Sequence, residues 1–332
     1  MMAKQRLYVV GGGAYGTALA LAMLRAERHV TLLLRDPAQA EDMRQTRHNN
    51  AYLPGIALPA ALDITADATR LRQAELIIAA IPAQHLRAGL SALAPHIPPE
   101  VPVLIAAKGM EQTTGLFMSE VAAQVLPKNP PALLSGPSFA VDVARGLPTS
   151  VTLAAPTEIL AREIAAQLAS NTFRLYHTSD LRGVEIGGSA KNVLAIASGI
   201  ATGRNLGASA CAALIVRGFA ELARFGRAFN ARHETLMGLS GLGDMILTCN
   251  SPQSRNFALG LKLGQGMDVA QALQGKLAEG AYTASALAAM ARARQIDMPI
   301  TFSVEAVLQG RIGIDGAIDA LLARPGRAES SE

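Results

Sequence analysis

In GGSAKNVLAIASG, residues 187–199, one lysine heads an apolar run. Lysine is seldom fully buried without a partner, so Lys191 ahead of Val193, Leu194, Ala195, Ile196 and Ala197 needs an account. A snorkelling stem with its ammonium at the surface is the plain one. The chemical one points the ammonium into a ligand cleft, to protonate an oxygen that turns negative as a hydride arrives. Lysine does such work when desolvation or a neighbouring cation brings its pKa toward neutrality. Lys108 in AAKGM could be that cation, and Asp244 could orient one of the two lysines. Lys108 is expected at the carboxyl end of a strand, where open α/β sheets bind ligands; a plain surface lysine is the alternative.

Two further stretches combine charge with small residues. In SGPSFA, residues 135–140, Gly136-Pro137 imposes a turn that exposes backbone N–H groups and the Ser138 hydroxyl. A turn without function is the alternative. In GLSGLGDMILTCNSPQSRNF, residues 238–257, Gly238, Gly241 and Gly243 suggest a loosened loop ending at Asp244. Ser254, Arg255 and Asn256 then stand where a helix could begin. Free N–H groups, a positive dipole end and a bidentate guanidinium suit a phosphate. An ordinary Ser254 N-cap followed by a solvated arginine is the structural counterpart.

GGGAYG supplies Gly11, Gly13 and Gly16 as GxGxxG, directly after the strand-like RLYVV (6–10) and before helical apolar spacing over 17–25. That context turns a weak motif into a dinucleotide expectation. The first glycine permits the turn, the second admits a pyrophosphate to the backbone, and the third lets helix and strand pack. After the second strand, Arg35 suits a 2′-phosphate, whereas Asp36 suits the ribose or a turn cap with Pro37. NADP is therefore favoured, with NAD left open.

These residues need a scaffold. VTLLL (30–34), LIIAAIP (76–82), VPVLIAAKG (101–109), ALLSGPSF (132–139) and TSVTLAA (149–155) are strand-like and alternate with helical patterns. Such alternation implies βαβ units and a mainly parallel sheet. From about residue 180 helix formers take over, with expected helices at 187–200, 208–229, 255–262, 269–273, 284–295, 303–309 and 316–323. The expected fold is α/β: a Rossmann-like dinucleotide-binding domain over 1–180, and an all-helical domain over 181–325. A frayed tail is expected over 326–332.

With 332 residues, half of them hydrophobic and 17% charged, the chain can bury large cores and exceeds an ordinary single one. The net charge of +4 is mild and its basic residues are scattered, so no nucleic-acid partner is expected. Cys211 and Cys249 are too few for a disulfide framework, and the six histidines are dispersed, so no metal site is expected. No apolar run reaches the roughly 18–20 residues of a membrane span, and the N terminus lacks a signal-peptide core. No membrane insertion and a cytoplasmic location follow as expectations.

GGGAYGTALA, NNAYLPG (49–55), AAKGM, SGPSFA, GLPTSVTLA (146–154), GGSAKNVLAIASG, LSGLGDMILTC with SRNF, and LAEGAYTA (277–284) together resemble the bacterial-type NAD(P)-dependent glycerol-3-phosphate dehydrogenases over nearly the whole chain. The resemblance implies reduction of dihydroxyacetone phosphate to sn-glycerol 3-phosphate, or its reverse, feeding glycerophospholipid synthesis, in a homodimer. It puts the proton-transfer lysine on Lys191. It puts substrate contacts on Lys108, Gly136, Ser138, Asp244, Ser254, Arg255 and Asn256. Cofactor contacts fall on Ala14, Tyr15, Arg35, Lys108, Ala140, Arg255, Leu277 and Glu279. In the resulting scheme Asp244 and Asn192 orient the lysine and a substrate hydroxyl, while Lys108 adds positive field. Ser209, Cys211, Ala14 and Ala281-Tyr282 depart from the family's usual residues, which touches details of substrate closure. Rival assignments are a two-domain ketopantoate or hydroxyacid reductase, with a carboxylate substrate, and a non-enzymatic NADP(H)-sensing module.

Overall fold

A computed structural model describes residues 6–273 and 279–325. Ten strands occur among them: β1 (Arg6–Val10), β2 (His29–Leu33), β3 (His48–Asn49), β4 (Leu53–Ala57), β5 (Asp63–Thr65), β6 (Leu76–Ala79), β7 (Val103–Ile105), β8 (Pro131–Ser135), β9 (Thr149–Ala154) and β10 (Phe173–Thr178). Eight form one sheet in the order β10-β9-β8-β7-β6-β1-β2-β5, and β3 pairs with β4 apart from it. All neighbours in the large sheet are parallel except β8 and β9, so β9 and β10 run against the rest. The sheet is mainly parallel, as the alternation of strand and helix signals implies.

The side-chain alternation of a strand feeds two cores. Leu7 and Val9 of β1 join one apolar cluster with Leu32, Ile78 and Leu104. Tyr8 and Val10 join another with Ile77, Val103 and Ile105. Covered on both faces, these strands carry continuous apolar runs. β10 lacks such a run: it lies at the sheet's edge, and of FRLYHT only Phe173 is buried. Its signal was therefore too weak to stand out.

The chain divides into two compact units. The first takes residues up to 188 together with 229–244; the second takes 189–228 and the residues from 245 onward. Composition alone puts the change near residue 180. The helix Leu181–Gly203 starts in the first unit because its opening turns pack there. Leu181 and Val184 join the second sheet cluster, and Arg182 lies over the Phe117 ring. Glu185 accepts from the Ser119 N–H and hydroxyl at 2.7 and 3.0 Å. Residues 229–244 join this unit partly through Asp180, which accepts from the N–H groups of Gly183 and Arg232, both at 2.8 Å.

Residues 239–243 correct an expectation. The glycine-rich stretch before Asp244 is not a loosened loop. It is a π-helical turn, Leu239–Gly243, running into the helix Asp244–Cys249. A Cβ on Gly241 would collide with the Leu236 carbonyl, so glycine here permits tight backbone packing.

The second unit contains the rest of Leu181–Gly203 and the helices Ala208–Ala228, Arg255–Gly264, Val269–Leu273, Glu279–Ala293, Pro299–Leu308 and Ile314–Leu322. Glu221 caps one of them from outside: its carboxylate accepts from the N–H groups of Ile300 and Thr301 and from the Thr301 hydroxyl. Burial pushes its pKa up to about 7, against the pull of those donors. A carboxyl whose pKa is raised by folding contributes stability below its ordinary value near 4.5. That contribution is lost as pH climbs through about 7. Glu221→Gln should therefore flatten part of the fall in melting temperature between pH 5 and 8, leaving the part due to Glu185, which burial likewise raises to about 7. Parallel melting curves of both proteins check this, and identical slopes would refute it.

Candidate functional site

Each unit holds one cluster of the residues singled out above. In the first, β1 ends at Val10 and the helix Ala14–Arg25 begins after the glycines. Gly11 has φ +118°, and a Cβ there would stand 2.6 Å from the Ala80 carbonyl oxygen. A Cβ on Gly16 would collide with the Gly11 carbonyl. Gly13 differs: it is the helix N-cap, has no side chain to cap with, and faces open space where a Cβ would sit. Open helix N–H groups beside an unobstructed backbone fit a pyrophosphate, with Ala14 and Tyr15 in the first turn.

The loop is propped from behind. Asn49 Nδ2 donates to the Gly12 carbonyl at 2.9 Å and to Thr17 Oγ1 at 2.8 Å. Gln39 Nε2 donates to the same carbonyl at 3.1 Å. Arg35 is exposed just beyond β2. Asp36 is the N-cap of the helix Pro37–Thr46, accepting from the Ala38 N–H, so its side chain serves the turn.

Lys108 lies beyond β7, and Nζ donates to Asp244 Oδ2 at 2.8 Å and to the Gly136 carbonyl at 2.9 Å. Ser138 Oγ reaches that carbonyl too, at 3.0 Å, and lies 2.8 Å from the Tyr15 hydroxyl. Five expected site residues (Tyr15, Lys108, Gly136, Ser138 and Asp244) thus form one hydrogen-bonded chain. Gly136 has φ +144°, and a Cβ there would stand 2.9 Å from Val151 Cα, so only glycine fits. Asp244 is 1% exposed; a carboxylate that dry needs a cation such as Lys108. Burial pushes the Tyr15 phenol above its ordinary value, opposed by the Lys108 ammonium and the Ser138 bond. Ala140 opens the short helix Ala140–Arg145, whose N-cap Phe139 offers no side-chain bond.

The second unit holds Lys191. It is 7% exposed, and Nζ donates to Thr248 Oγ1 at 3.2 Å. Its ammonium is enclosed, so the snorkelling account fails. Asn192 Oδ1 accepts from Asn256 Nδ2 at 2.9 Å, and Asn256 Oδ1 accepts from the Gly280 N–H at 3.1 Å. Ser254 caps the helix Arg255–Gly264, its Oγ accepting from the Phe257 N–H. The expected helix start is present, with Arg255 exposed at its first position. Glu279 opens the helix Glu279–Ala293. Leu277 lies outside the described residues.

Thr248 and Asn49 are among the residues of these clusters that escaped the sequence reading. Thr248 carried one signal, its place four residues after Asp244 in a short helix. Asn49 carried another, a paired asparagine ahead of the YLPG turn. Among the described residues no group of three or more His, Cys, Asp or Glu is placed to hold a metal ion, and no helix is long and apolar enough to cross a membrane.

A glycine turn on a parallel sheet, followed by a helical unit with an enclosed lysine, defines the class of two-part dinucleotide-dependent dehydrogenases. Family models for the NAD-dependent glycerol-3-phosphate dehydrogenase N terminus and C terminus match residues 6–169 and 180–319. The chain belongs to that family. It is 58% identical over 330 residues to a glycerol-3-phosphate dehydrogenase (NAD(P)+) of Azorhizobium caulinodans, covering 99% of this chain and 100% of that one. Its fold matches the crystal structure of glycerol-3-phosphate dehydrogenase from Coxiella burnetii with TM-score 0.91 and 37% identity, covering 97% and 99% of the two chains. A ketopantoate reductase from Ralstonia eutropha shares the fold alone, with TM-score 0.62 and 15% identity over 92% of this chain and 97% of that one. The matches favour the dehydrogenase assignment over the ketopantoate rival.

Proposed function

We propose that the protein interconverts dihydroxyacetone phosphate and sn-glycerol 3-phosphate using NADP(H), and NAD(H) less well. The observation that carries this is the enclosed Lys191 ammonium in the same unit as an exposed arginine at a helix start. Arg255 grips the phosphate, helped by the helix N–H groups. Ser254 Oγ, already accepting from Phe257, keeps its own proton to donate. Lys191 donates a hydrogen bond to the C2 oxygen and gives up its proton as the alkoxide forms. Asn192, tied to Asn256, orients the substrate hydroxyl. Lys108 and Asp244 act as a pair: the carboxylate holds the ammonium on the Gly136 carbonyl and moderates the positive field it lends.

Gly11, Gly13, Ala14, Tyr15 and Gly16 would hold the dinucleotide's pyrophosphate side, with Arg35, Ala140, Leu277 and Glu279 as further contacts; the dinucleotide supplies or accepts the hydride. Arg35 is the basis for preferring the 2′-phosphate. Arg35→Asp should lower kcat/KM for NADPH by about tenfold or more, the scale of one hydrogen bond to a charged group, and change NADH by less than about threefold. Equal effects on both would remove Arg35 from cofactor choice.

Residues from 181 onward are proposed to bind substrate and to form a homodimer, which sedimentation would test. A cytoplasmic location and a role in supplying glycerophospholipid synthesis complete the reading. The deciding assay follows NADPH and NADH absorbance on adding dihydroxyacetone phosphate. Oxidation that depends on the ketone is expected; dinucleotide binding without turnover would favour the sensor instead.

A further inference from the structure

In the second unit, the helix carrying Lys191 and the helix headed by Arg255 meet backbone to backbone. A Cβ on Gly199 would collide with the Phe257 carbonyl, one on Gly203 with the Leu261 carbonyl, and one on Gly260 with the Ile196 carbonyl. A Cβ on Gly264 would stand 2.5 Å from the Ile200 carbonyl oxygen. The fit is reciprocal: a Cβ on Gly260 would lie 3.0 Å from Gly199 Cα, and one on Gly264 would lie 2.9 Å from Gly203 Cα. Each pair is spaced i, i+4, so each helix turns one glycine row toward the other. Small residues at that spacing let helix backbones approach closely.

A polar tie closes the end of this contact nearest Lys191. Asn256 binds Asn192 with its amide nitrogen and the Gly280 N–H with its oxygen. A Cβ on Gly280 would stand 2.6 Å from Asn256 Oδ1 and 3.0 Å from the Asn192 carbonyl. One buried amide thereby joins three helices, and a fifth glycine is needed for it to do so.

We propose that this glycine ladder and its asparagine tie form a positioning element. They set the span between the Lys191 ammonium and the phosphate grip at Arg255, and so select ketones whose phosphate stands at one distance from the carbonyl. The proposal rests on the functional reading above. Its physical basis is stiffness. Long side chains at a helix contact can change rotamer and let the axes drift, whereas touching backbones cannot. Ser254, Arg255 and Lys191 are each carried on one of these two helices or its cap. The span between carbonyl and phosphate is then a property of backbone packing and does not depend on the binding residues' own flexibility. On this account Asn256 acts as a positioning residue through its bonds to Asn192 and Gly280.

Relieving a Cβ collision of this kind means moving the backbones by about 1 Å, given ordinary carbon contacts of about 3.5–4.0 Å. A misplacement of that size can cost about a hundredfold in rate. The test compares dihydroxyacetone phosphate with dihydroxyacetone, which has no phosphate and so no span to satisfy. In Gly260→Ala, kcat/KM for the phosphorylated ketone should fall about 100-fold while that for dihydroxyacetone stays within about threefold. Gly203→Ala, at the far end of the ladder, should show the same pattern at about tenfold, and serves if Gly260→Ala does not fold. Gly316→Ala, at a helical position with nothing near its would-be Cβ, should leave both substrates unchanged. A merely structural role would lower both substrates by the same factor, as lost active protein does; an unchanged ratio in a folded ladder variant overturns the proposal. Wild-type protein inert toward dihydroxyacetone phosphate overturns the functional reading together with it, so the two failures are distinct.

Discussion

Lys191→Met is expected to lower kcat for dihydroxyacetone phosphate by about 10³-fold, within the range of about 10²–10⁴ that a positioned general acid contributes. The dissociation constant for NADPH should change by less than about threefold, because the glycine loop that would hold the dinucleotide lies in the other unit. Methionine fills the space of the lysine stem without its charge. Removing one member of a buried polar contact can itself destabilise. The melting temperature of the same variant is therefore measured alongside, which separates lost chemistry from lost fold. Thr248, which accepts the lysine's hydrogen bond, keeps a hydroxyl that can turn elsewhere. A variant retaining more than about a tenth of the wild-type kcat would take Lys191 out of the proton-transfer role, since that is below what general acid catalysis supplies.

Arg255→Ala should act on binding and, through it, on orientation. The side chain is exposed, and the cap that starts its helix belongs to Ser254, so the fold should be indifferent to the change. Losing a charged partner from an ion-paired contact costs about 2–5 kcal/mol. At about 1.4 kcal/mol per tenfold, kcat/KM for dihydroxyacetone phosphate should fall by about 30-fold to about 4 × 10³-fold, mostly as a raised KM. Dihydroxyacetone should be affected little, and added inorganic phosphate should cease to compete with the phosphorylated ketone. Measuring NADPH affinity in the same variant shows whether the cofactor also depends on this arginine. A fall of less than about tenfold for the phosphorylated ketone would move the phosphate grip elsewhere.

Several features of the molecule could be seen in the amino-acid sequence because their causes are local. A glycine turn between a strand and a helix is such a case. Gly11 and Gly16 are needed by their immediate neighbours, and the flanking RLYVV and helical spacing declare the context. Buried parallel strands also announce themselves, since both faces are apolar. The helix start at Ser254 follows from capping chemistry within four residues. Lys191 was conspicuous because an ammonium among alanines and isoleucines violates the ordinary rule of burial.

Other features depended on residues far apart in the chain. That Asp244 serves Lys108 rests on a contact across 136 positions. That Asn256 is spent on Asn192 and Gly280 rests on two more. The glycines at 199, 203, 260 and 264 look like mere helix-weakening residues until their two helices are brought together. Asp36 was open for a different, local reason: a ribose ligand and a turn cap both suit an aspartate before Pro37, and its bond to the Ala38 N–H is the second. The stretch 239–243, also a local case, looked loose because glycine is permissive, yet it is helical, with the Gly241 backbone close against the Leu236 carbonyl.

The sequence by itself therefore determined the class of fold, the glycine turn, and which side chains were out of place enough to be chemical. Each of these follows from interactions within a few residues or from the periodicity of one element. Only the tertiary structure decided how those side chains are partnered, which amides tie helices together, and how closely two helices lie. Those are meetings of distant segments, and their energies depend on geometry that no short window of residues contains.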